Sequence, residues 1–417
     1  MCSNGLFPSS SVEELATLLN ECRLLDRNLS KALHLHTHLC QRGLEKQSLG
    51  HKLVRVLVEC DGLFYACQVF QKLEHNRDGS SWNWLITGYM EKGHYIHGFS
   101  LYGEMQRNQN LKLSPYTYVA MLQACIALKD VQMGSSIHAE ICRISLSESD
   151  FFIATTLVDM YSKCGVLSKA QQVLDELPTR NIVSWNALIA GYAQQGQYHE
   201  VLRCFGCIQS EGLSANMVTY ICILKACACI GAVEEGKQVH DQIMSKGLLE
   251  KNMVLGTALV DMYAKCGVLA KAELVFKELP IQSILSWNAL IAGYVQQGQG
   301  YEALNCFERM QSEGFHPDDV TCLCVLSACC HSGLLDDAQM LFRNMTKNYG
   351  IVPNIEHHTC MVGVLGCSDE AMVMIKSMPV SFKEYPSCWL TFLGACKKWG
   401  NLRLALLAFD EMMMLRD

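Results

Sequence analysis

Proline is scarce in this sequence, and long apolar runs are missing. Only 8 of the 417 residues are proline, and no run of 18 or more apolar residues occurs. Scarce proline leaves room for long helices, and the missing apolar run argues against a membrane-spanning helix. The start, MCSNGLFPSSS, is rich in serine and free of acidic residues, as transit peptides are, but it lacks arginine. The first predicted repeat begins at residue 12, so residues 1–11 are taken as a short N-terminal segment, and the sequence leaves targeting unsettled.

An excess of positive charge is also missing. The formal net charge is −7, whereas broad phosphate binding relies on clustered lysine and arginine. Any nucleic-acid site must therefore be a local groove. The 23 cysteines lack an accompanying apolar signal segment, and several recur at one interval, which is typical of small buried residues in a reducing compartment. Core packing is predicted for Cys125, Cys164, Cys227, Cys266 and Cys329.

The main positive feature is an internal repeat. SWNALIAGY occurs at residues 184–192 and again, unchanged, at 286–294. The same interval of 102 residues relates LVDMYSKCGVLSKA at 157–170 to LVDMYAKCGVLAKA at 259–272, and it also separates LQAC, LKAC and LSAC. Within one interval, the starts of these segments define units of 36, 31 and 35 residues. Such a recurrence predicts stacked structural units that meet identical neighbours.

Each unit is expected to be a helical hairpin. One apolar helix face, with spacing i, i+3, i+4 and i+7, is predicted for Trp185, Leu188, Ile189 and Tyr192. Ser184 is expected to cap this helix and Gly196 to end it. A second apolar stripe follows in VLRCFGCIQSEG. Because so short a hairpin cannot bury both stripes alone, we predict side-by-side stacking with one helix of each pair lining a concave face.

The order and the lengths of the units identify a family. Tetratricopeptide arrays keep a 34-residue unit with a W-x-x-L-G marker, which is missing here. The segments SWNALI, LVDMYAKCG and ILKAC, in units of mixed length, resemble the pentatricopeptide repeat (PPR) family of plants, specifically its class with P, L and S units. The resemblance covers residues 12–417. It implies an all-α fold, a right-handed α-solenoid superhelix of stacked helix-turn-helix repeats.

The resemblance also implies a division of the chain. The array spans residues 12–354, with L units at 12–46, 115–150, 217–252 and 319–354, S units at 47–78, 151–181 and 253–283, and P units at 79–114, 182–216 and 284–318. A shortened S-type repeat is expected at 355–380, because CSDEAM follows VLG where the family has several more residues. Residues 381–417 resemble the first part of a truncated E-type extension.

The family binds single-stranded RNA in mitochondria and chloroplasts, with about one base read per repeat. The resemblance places base reading at the fifth and the last residue of a unit. These pairs are Asn83 with Ser114, Thr155 with Asn181, Asn186 with Asn216, Thr257 with Ser283, and Asn288 with Asp318. Short donors and acceptors of this kind can distinguish base edges. The correspondences of the family then imply a preference for 5′-C-n-A-Y-n-R-U-3′.

A second interpretation of these residues is helix capping, since Asn, Ser and Thr are frequent caps. The paired positions vary among Asn, Ser and Asp while the surrounding segment stays constant, and this variation favours base reading. The fifth residues of three L units offer no hydrogen bond and are expected to act as spacers: Val119, Ile221 and Leu323. The equivalent residues of the first two units, Ala16 and His51, receive no assignment.

No catalytic site is expected. Many members of this class end in a zinc-dependent deaminase domain for C-to-U editing, which needs H-x-E and a downstream C-x-x-C. HAE at 138–140 and CFGC at 204–207 have these letters, but His138 recurs as His240 in the next L unit. The cysteine pair lies inside a P-unit helix and lacks the preceding proline. We therefore expect no metal and no cofactor.

The favoured function is an RNA-binding specificity factor for organellar RNA processing, such as C-to-U editing with a deaminase supplied in trans. The expected partners are single-stranded RNA and a deaminase-bearing protein docked on the E-like tail, with no membrane and a monomeric chain. The alternative is a protein-binding α-solenoid scaffold or a truncated paralogue without RNA activity. The charge of −7 and the apolar L-unit positions favour that alternative.

Overall fold

The computed structural model describes residues 12–26, 28–44, 48–73, 77–107, 113–144, 151–249, 252–378 and 386–414. These residues form 24 α-helices and one π-helical turn, Cys22–Asp26, and contain no strand. None of the described helices is both long and apolar enough to span a bilayer. The predicted all-α helical-repeat architecture is confirmed. The N-terminal segment 1–11 lies outside the described residues.

The chain divides into two compact units, Met1–Gln195 and Gly196–Asp417. The described part of the first compact unit contains eleven α-helices. In chain order these helices, α1 to α11, are Val12–Glu21, Leu29–Gln41, Ser48–Glu59, Leu63–Lys72, Gly79–Glu91, Tyr95–Gln106, Pro115–Leu128, Val131–Arg143, Phe151–Lys163, Leu167–Glu176 and Ile182–Gln194.

The described part of the second compact unit contains thirteen α-helices. In chain order these helices, α12 to α24, are Tyr198–Ser210, Met217–Ile230, Val233–Ser245, Met253–Lys265, Leu269–Glu278, Ile284–Gln296, Gly300–Ser312, Asp319–Ser332, Leu335–Lys347, Ile355–Leu365, Asp369–Ser377, Pro386–Trp399 and Leu402–Met414.

Within each compact unit, the first helices of successive hairpins form a row. In the first unit α3, α5, α7, α9 and α11 pack each against the next. In the second unit α13, α15, α17, α19, α21 and α23 do the same. The second helix of a hairpin, such as α4, α6, α18 or α20, packs on its own first helix. This arrangement is the α-solenoid that the repeat predicts.

The apolar stripe of SWNALIAGY is buried as predicted, but its helix starts earlier than predicted. Trp185 and Ile189 are fully packed, and Gly196 has a positive φ of 71° just after the helix. The helix starts at Ile182, and Asn181 is its N-cap. The prediction that Ser184 caps the helix was wrong. Ser184 is the third helical residue, and its hydroxyl accepts from the Asn181 N–H at 3.2 Å, which completes a capping box.

The repeat also copies side-chain contacts inside the core. The hydroxyl of Tyr161 lies 3.0 Å from His138 Nδ1, and the hydroxyl of Tyr263 lies 3.0 Å from His240 Nδ1. Both tyrosines are buried. Of the cysteines assigned to the core, Cys125, Cys227 and Cys329 are fully buried, whereas Cys164 and Cys266 are half-buried. Burial raises the pKa of the Cys125 and Cys227 thiols to about 12.

Residues 355–378, which fall in the predicted shortened S-type repeat, form two packed helices. The first helix, α21, ends at Leu365, and Ser368 caps the nine-residue second helix, α22. The apolar side chains of these helices share a core with the tail, and this core includes Val362, Ala371, Ile375, Trp389, Phe392 and Leu404. A cavity of about 430 Å³ lies beside this repeat, lined by Phe342, Arg343, Met361, Leu365, Val373 and others. The short second helix is therefore held by the tail.

Glycine at the tenth position of the three predicted P units permits the close approach of successive first helices. A Cβ added at Gly293 of α17 would lie 2.4 Å from the Ala264 Cβ of α15, and one at Gly191 of α11 would lie 2.7 Å from the Ser162 Cβ of α9. Both distances are far below van der Waals contact. Gly88 meets Val58 in the same manner. These glycines set the separation of the first helices.

We expect Gly293→Ala to lower the free energy of unfolding by about 1–3 kcal/mol, because overpacking forces neighbouring backbones apart. Urea denaturation followed by circular dichroism measures this loss. Gly206→Ala is the matched control, since Gly206 lies in helix α12 and a Cβ added there would meet no neighbouring group within 4 Å. The control should gain roughly 0.5–1 kcal/mol from helix propensity. Equal stability of both variants would contradict the packing argument.

Candidate functional site

The last residues of the predicted P and S units act as helix N-caps. In each case a side-chain oxygen accepts a backbone N–H from the first turn of the next helix. The accepting atoms are Ser114 Oγ at 3.2 Å, Asn181 Oδ1 at 2.9 Å, Asn216 Oδ1 at 3.1 Å, Ser283 Oγ at 3.2 Å and Asp318 Oδ1 at 2.8 Å. These residues satisfy N–H groups that a helix start leaves without partners. The capping interpretation is therefore correct for all five residues.

Asn288 and Asp318 are in direct contact. Asn288, which is 5% exposed, lies on α17, and its Nδ2 donates to Asp318 Oδ1 at 3.0 Å and Oδ2 at 3.2 Å. The buried hydroxyl of Thr321 on α19 lies 2.6 Å from Asn288 Oδ1 and 2.8 Å from Asp318 Oδ1. The predicted pair is thus one hydrogen-bonded cluster with a third member.

Asn83 and Ser114 form a second cluster of the same kind. Asn83 lies on α5, and its Oδ1 accepts the Ser114 backbone N–H at 3.0 Å. The hydroxyl of Thr117 on α7 donates to the same Oδ1 at 2.9 Å, and it lies 2.8 Å from Ser114 Oγ. Here the capping side chain does not bond directly to the asparagine. The contact uses the backbone of the cap residue and the hydroxyl of Thr117.

A third cluster contains His51, to which the sequence alone assigns no role. His51 Nδ1 lies 3.1 Å from Asp78 Oδ1 and 2.7 Å from Ser81 Oγ. Asp78 caps α5 by accepting the Ser81 N–H at 2.8 Å. At three places, therefore, the fifth and the last residue of one unit meet the third residue of the next unit. We call these clusters junction triads: His51–Asp78–Ser81, Asn83–Ser114–Thr117 and Asn288–Asp318–Thr321.

The pairs of the predicted S units 151–181 and 253–283 are arranged differently. Thr155 and Thr257 lie on the first helices α9 and α15, half-buried. Among the described residues the Thr155 hydroxyl has no hydrogen-bond partner although it is buried, and the Thr257 hydroxyl donates to the Met253 carbonyl of its own helix at 3.1 Å. No hydrogen bond joins Thr155 to Asn181 or Thr257 to Ser283 within the described part of the chain.

The remaining predicted pair is Asn186 with Asn216. Asn186 is half-buried on α11 in the first compact unit, whereas Asn216 is exposed and caps α13 in the second compact unit. The apolar fifth residues of the L units, Val119, Ile221 and Leu323, are half-buried.

The Asn288–Asp318–Thr321 triad has a defined hydrogen-bonding character. A carboxylate only accepts hydrogen bonds, so the amide nitrogen of Asn288 must be the group that faces Asp318. Asp318 Oδ2 accepts a hydrogen bond from Asn288, and a carboxylate oxygen can accept more than one. This triad can receive a ligand N–H, whereas a ligand atom with a lone pair would be repelled by the carboxylate.

The H-x-E segment on α8 is occupied by packing contacts. Glu140 Oε1 accepts the Tyr118 hydroxyl at 3.0 Å, while Oε2 accepts the Tyr102 hydroxyl and the Gln106 amide. Burial alone would raise the pKa of Glu140, but these hydrogen bonds outweigh it and lower the pKa. Burial also lowers the pKa of His138. Among the described residues, no group of three or more His, Cys, Asp or Glu side chains could hold a metal ion.

The fold and the clusters define a class: a helical-repeat protein that presents polar side chains where successive first helices meet. Sequence patterns of the PPR repeat family match residues 77–127, 180–229 and 282–331. The PPR repeat itself matches residues 152–182, 218–248, 257–281, 320–349 and 387–416. The chain belongs to the pentatricopeptide repeat family.

Similar proteins from Arabidopsis thaliana carry organellar names. The chain is 36% identical over 407 residues to the chloroplastic pentatricopeptide repeat-containing protein CRR2, covering 95% of this chain and 61% of that protein. It is 33% identical to a second chloroplastic relative, of which it covers 75%, with 97% of this chain aligned. A mitochondrial relative is 33% identical, with 99% of this chain and 64% of that protein covered. The chain thus spans about half to three quarters of the length of such curated relatives.

Solved structures share the fold. The pentatricopeptide repeat protein PPR10 in complex with an 18-nucleotide psaJ RNA element aligns with a TM-score of 0.68 at 16% identity, over 97% of this chain and 64% of that one. A further structure of PPR10 from maize aligns with a TM-score of 0.54 at 16% identity, over 97% of this chain and 63% of that one.

We expect Asp318→Ala to lower the free energy of unfolding by about 1–2 kcal/mol, since the helix loses its cap. Asp318→Asn is the matched variant, because its side-chain oxygen still accepts the Thr321 N–H and asparagine caps about as well as aspartate. Thermal and urea unfolding of the three proteins measure the difference. An alanine variant as stable as the wild type would show that this cap is dispensable.

Proposed function

We propose that this protein binds single-stranded RNA in a sequence-specific manner inside a chloroplast or mitochondrion. The observation that carries the proposal is the direct contact of Asn288 Nδ2 with the Asp318 carboxylate at 3.0 Å, at a position where other units place different polar side chains. A constant scaffold with a variable polar pair at each junction suits a ligand built of repeated but unequal units, as RNA is.

The Asn288–Asp318 pair favours uracil by its hydrogen-bonding character. The carboxylate accepts hydrogen bonds, and uracil offers an N3–H donor on its Watson–Crick edge. Cytosine offers a lone pair at N3 instead, which the carboxylate repels. Guanine also has an N–H donor, but it is larger than uracil. The pair therefore supports the assignment of U to the unit 284–318.

The Asn83–Ser114 pair favours cytosine. A serine hydroxyl carries no charge, so it does not repel the bare N3 of cytosine as a carboxylate does, and it can donate to that atom once its hydrogen leaves the 2.8 Å contact with Thr117. Together with the S-unit pairs and Asn186 with Asn216, the proposed target is 5′-C-n-A-Y-n-R-U-3′. The L units, with apolar fifth residues, contribute spacing without a base preference.

The comparisons support both parts of the proposal. PPR10, which shares the fold, is described in complex with an 18-nucleotide RNA element. The relatives that align over nearly all of this chain include proteins named chloroplastic and mitochondrial. With a net charge of −7, the chain lacks a general attraction for phosphates. We therefore assign sequence specificity to the base-reading positions and only local, salt-dependent attraction to phosphate contacts.

Selection from a randomised single-stranded RNA pool should enrich sequences related to 5′-C-n-A-Y-n-R-U-3′. The purified chain is incubated with the pool at two salt concentrations, and the bound RNA is sequenced. Affinity should fall at the higher salt while the enriched motif stays the same, since phosphate contacts are screened and base contacts are not. The absence of any enriched motif at either salt would refute the proposal and favour a protein-binding scaffold.

Asp318→Ser should change the base preferred by the unit 284–318 from U to C, because it converts the pair into the combination found at Asn83 and Ser114. The U-over-C ratio should fall by roughly tenfold or more, as expected for about 1–3 kcal/mol per read base. Fluorescence anisotropy with RNAs that differ only at this base measures the ratio.

Asp319→Ser is the matched control for this experiment. Asp319 is exposed, follows Asp318 in the chain, and its backbone carbonyl accepts from the His357 ring. The control removes the same charge without touching the pair. It should leave the U-over-C ratio unchanged. An equal change in both variants would mean that charge, and not base reading, controls binding.

We further propose that the bound RNA is processed by another protein, with C-to-U editing as the favoured reaction and a deaminase supplied in trans. The proposal rests on the E-like resemblance of residues 381–417 and on the structural contacts that already occupy His138 and Glu140. Loss of this protein should abolish editing at organellar sites that lie beside the enriched motif. Unchanged editing at all such sites would leave RNA binding intact but reject the editing role.

A further inference from the structure

Each junction triad contains a fully buried hydroxyl. Ser81, Thr117 and Thr321 are each 0% exposed. Each is the third residue of its unit, and the fifth residue of the preceding unit is polar in all three cases. A buried hydroxyl without a partner is costly, so its retention needs a hydrogen bond. In these triads the hydroxyl contacts the fifth residue of the preceding unit, with oxygen-to-ring or oxygen-to-oxygen distances of 2.7, 2.9 and 2.6 Å.

The contacts with Asp318 and Thr321 together fix the amide orientation of Asn288. Asp318 accepts from the amide nitrogen, so Oδ1 must point the other way, and there it meets the Thr321 hydroxyl at 2.6 Å. That hydroxyl has one hydrogen, which faces both Asn288 Oδ1 and Asp318 Oδ1. If the amide turned by half a rotation, its nitrogen would lose the carboxylate and its oxygen would face it.

The same logic applies to Asn83 with a different partner. The Ser114 backbone N–H can only donate, so the atom of Asn83 that faces it must be Oδ1. Thr117 donates to the same oxygen. Both hydrogen bonds use Oδ1, so the Nδ2 group is the part of the side chain that remains for a ligand. In the predicted P units 79–114 and 284–318, therefore, the buried threonine holds the carbonyl end of the asparagine inward.

The junctions that follow the predicted S units 151–181 and 253–283 lack this arrangement. Ser184 and Ser286 occupy the equivalent third positions, and their hydroxyls donate to the backbone carbonyls of Asn181 at 2.9 Å and Ser283 at 2.8 Å. They serve the helix start alone. Thr257 correspondingly turns its hydroxyl to its own helix. The third residue of a unit can thus have either of two roles: its hydroxyl contacts the preceding unit, as in Thr117 and Thr321, or it only completes the capping box of its own helix, as in Ser184 and Ser286.

We infer that Thr117 and Thr321 are positioning residues for base discrimination: they set which polar atoms of Asn83 and Asn288 are presented to the RNA base. The inference deepens the proposed function and rests on it. The threonines do not touch the base. They act through the asparagine of the preceding unit, so each controls one read position and no other.

The test compares Thr321→Val with Thr321→Ser. Valine keeps the shape of threonine and removes the hydroxyl, whereas serine keeps the hydroxyl. Binding is measured with four RNAs that differ only at the base opposite the unit 284–318. The preference for U should fall about fivefold in Thr321→Val, the effect of one hydrogen bond. It should be retained in Thr321→Ser.

A reciprocal variant serves as the internal control. Thr117→Val should weaken the preference for C opposite the unit 79–114 and leave the preference for U intact, while Thr321→Val does the reverse. A purely structural role would lower thermal stability and affinity for all RNAs together and keep both ratios. Such a result would overturn the inference.

A measurement without RNA separates this inference from the proposed function. In protein labelled with ¹⁵N-asparagine, the side-chain amide signals of Asn288, assigned through Asn288→Asp, should be shifted and protected from exchange. Thr321→Val should move them and speed exchange, whereas Thr321→Ser should not. If the wild type shows no base preference at all, the proposed function fails. If it discriminates and Thr321→Val discriminates equally, only the inference fails.

Discussion

The hydrogen bond by which the last side chain of a unit caps the next first helix connects folding to the candidate site. A helix start leaves N–H groups without partners, and Asp318 or Asn181 satisfies them. Because the cap holds this side chain in place, the fifth residue of the preceding unit meets it at a defined distance. Asn288 and Asp318 owe their contact to this constraint. The same bond thus determines where a helix begins and which polar atoms face each other.

The stacked helical fold could be predicted because the repeat copies its packing. The stripe containing Trp185 and Ile189 is buried, and the contact of Tyr161 with His138 returns as Tyr263 with His240. The predicted helix cap was three residues too late, since both Asn181 and Ser184 are good capping residues. In a capping box the N-cap and the third helical residue are both polar, so periodicity alone does not distinguish them.

The candidate site could be predicted by position but not by contact. The repeat register of the family predicts the pairing of Asn288 with Asp318 and of Asn83 with Ser114. The proposed orienting roles of Thr117 and Thr321 depend instead on distances between neighbouring helices, which the sequence does not give. The behaviour of Thr257 could not be foreseen, because a threonine hydroxyl has a ready acceptor in its own helix. His51 belongs to a divergent copy of the unit, so the repeat pattern did not indicate a role for it. Its contact with Asp78 becomes visible only where the structure shows that Asp78 caps α5.

The choice of capping residues has a consequence for how such an array can diverge. Asparagine, aspartate and serine cap a helix with similar strength, so exchanges among them change the stability of the fold little. The side chains that differ most between junctions are therefore the ones whose replacement folding tolerates best. Selection can therefore change the hydrogen-bonding groups of one junction at a time. The glycines and tyrosines at the contacts between helices tolerate fewer replacements, because packing fixes their size and shape.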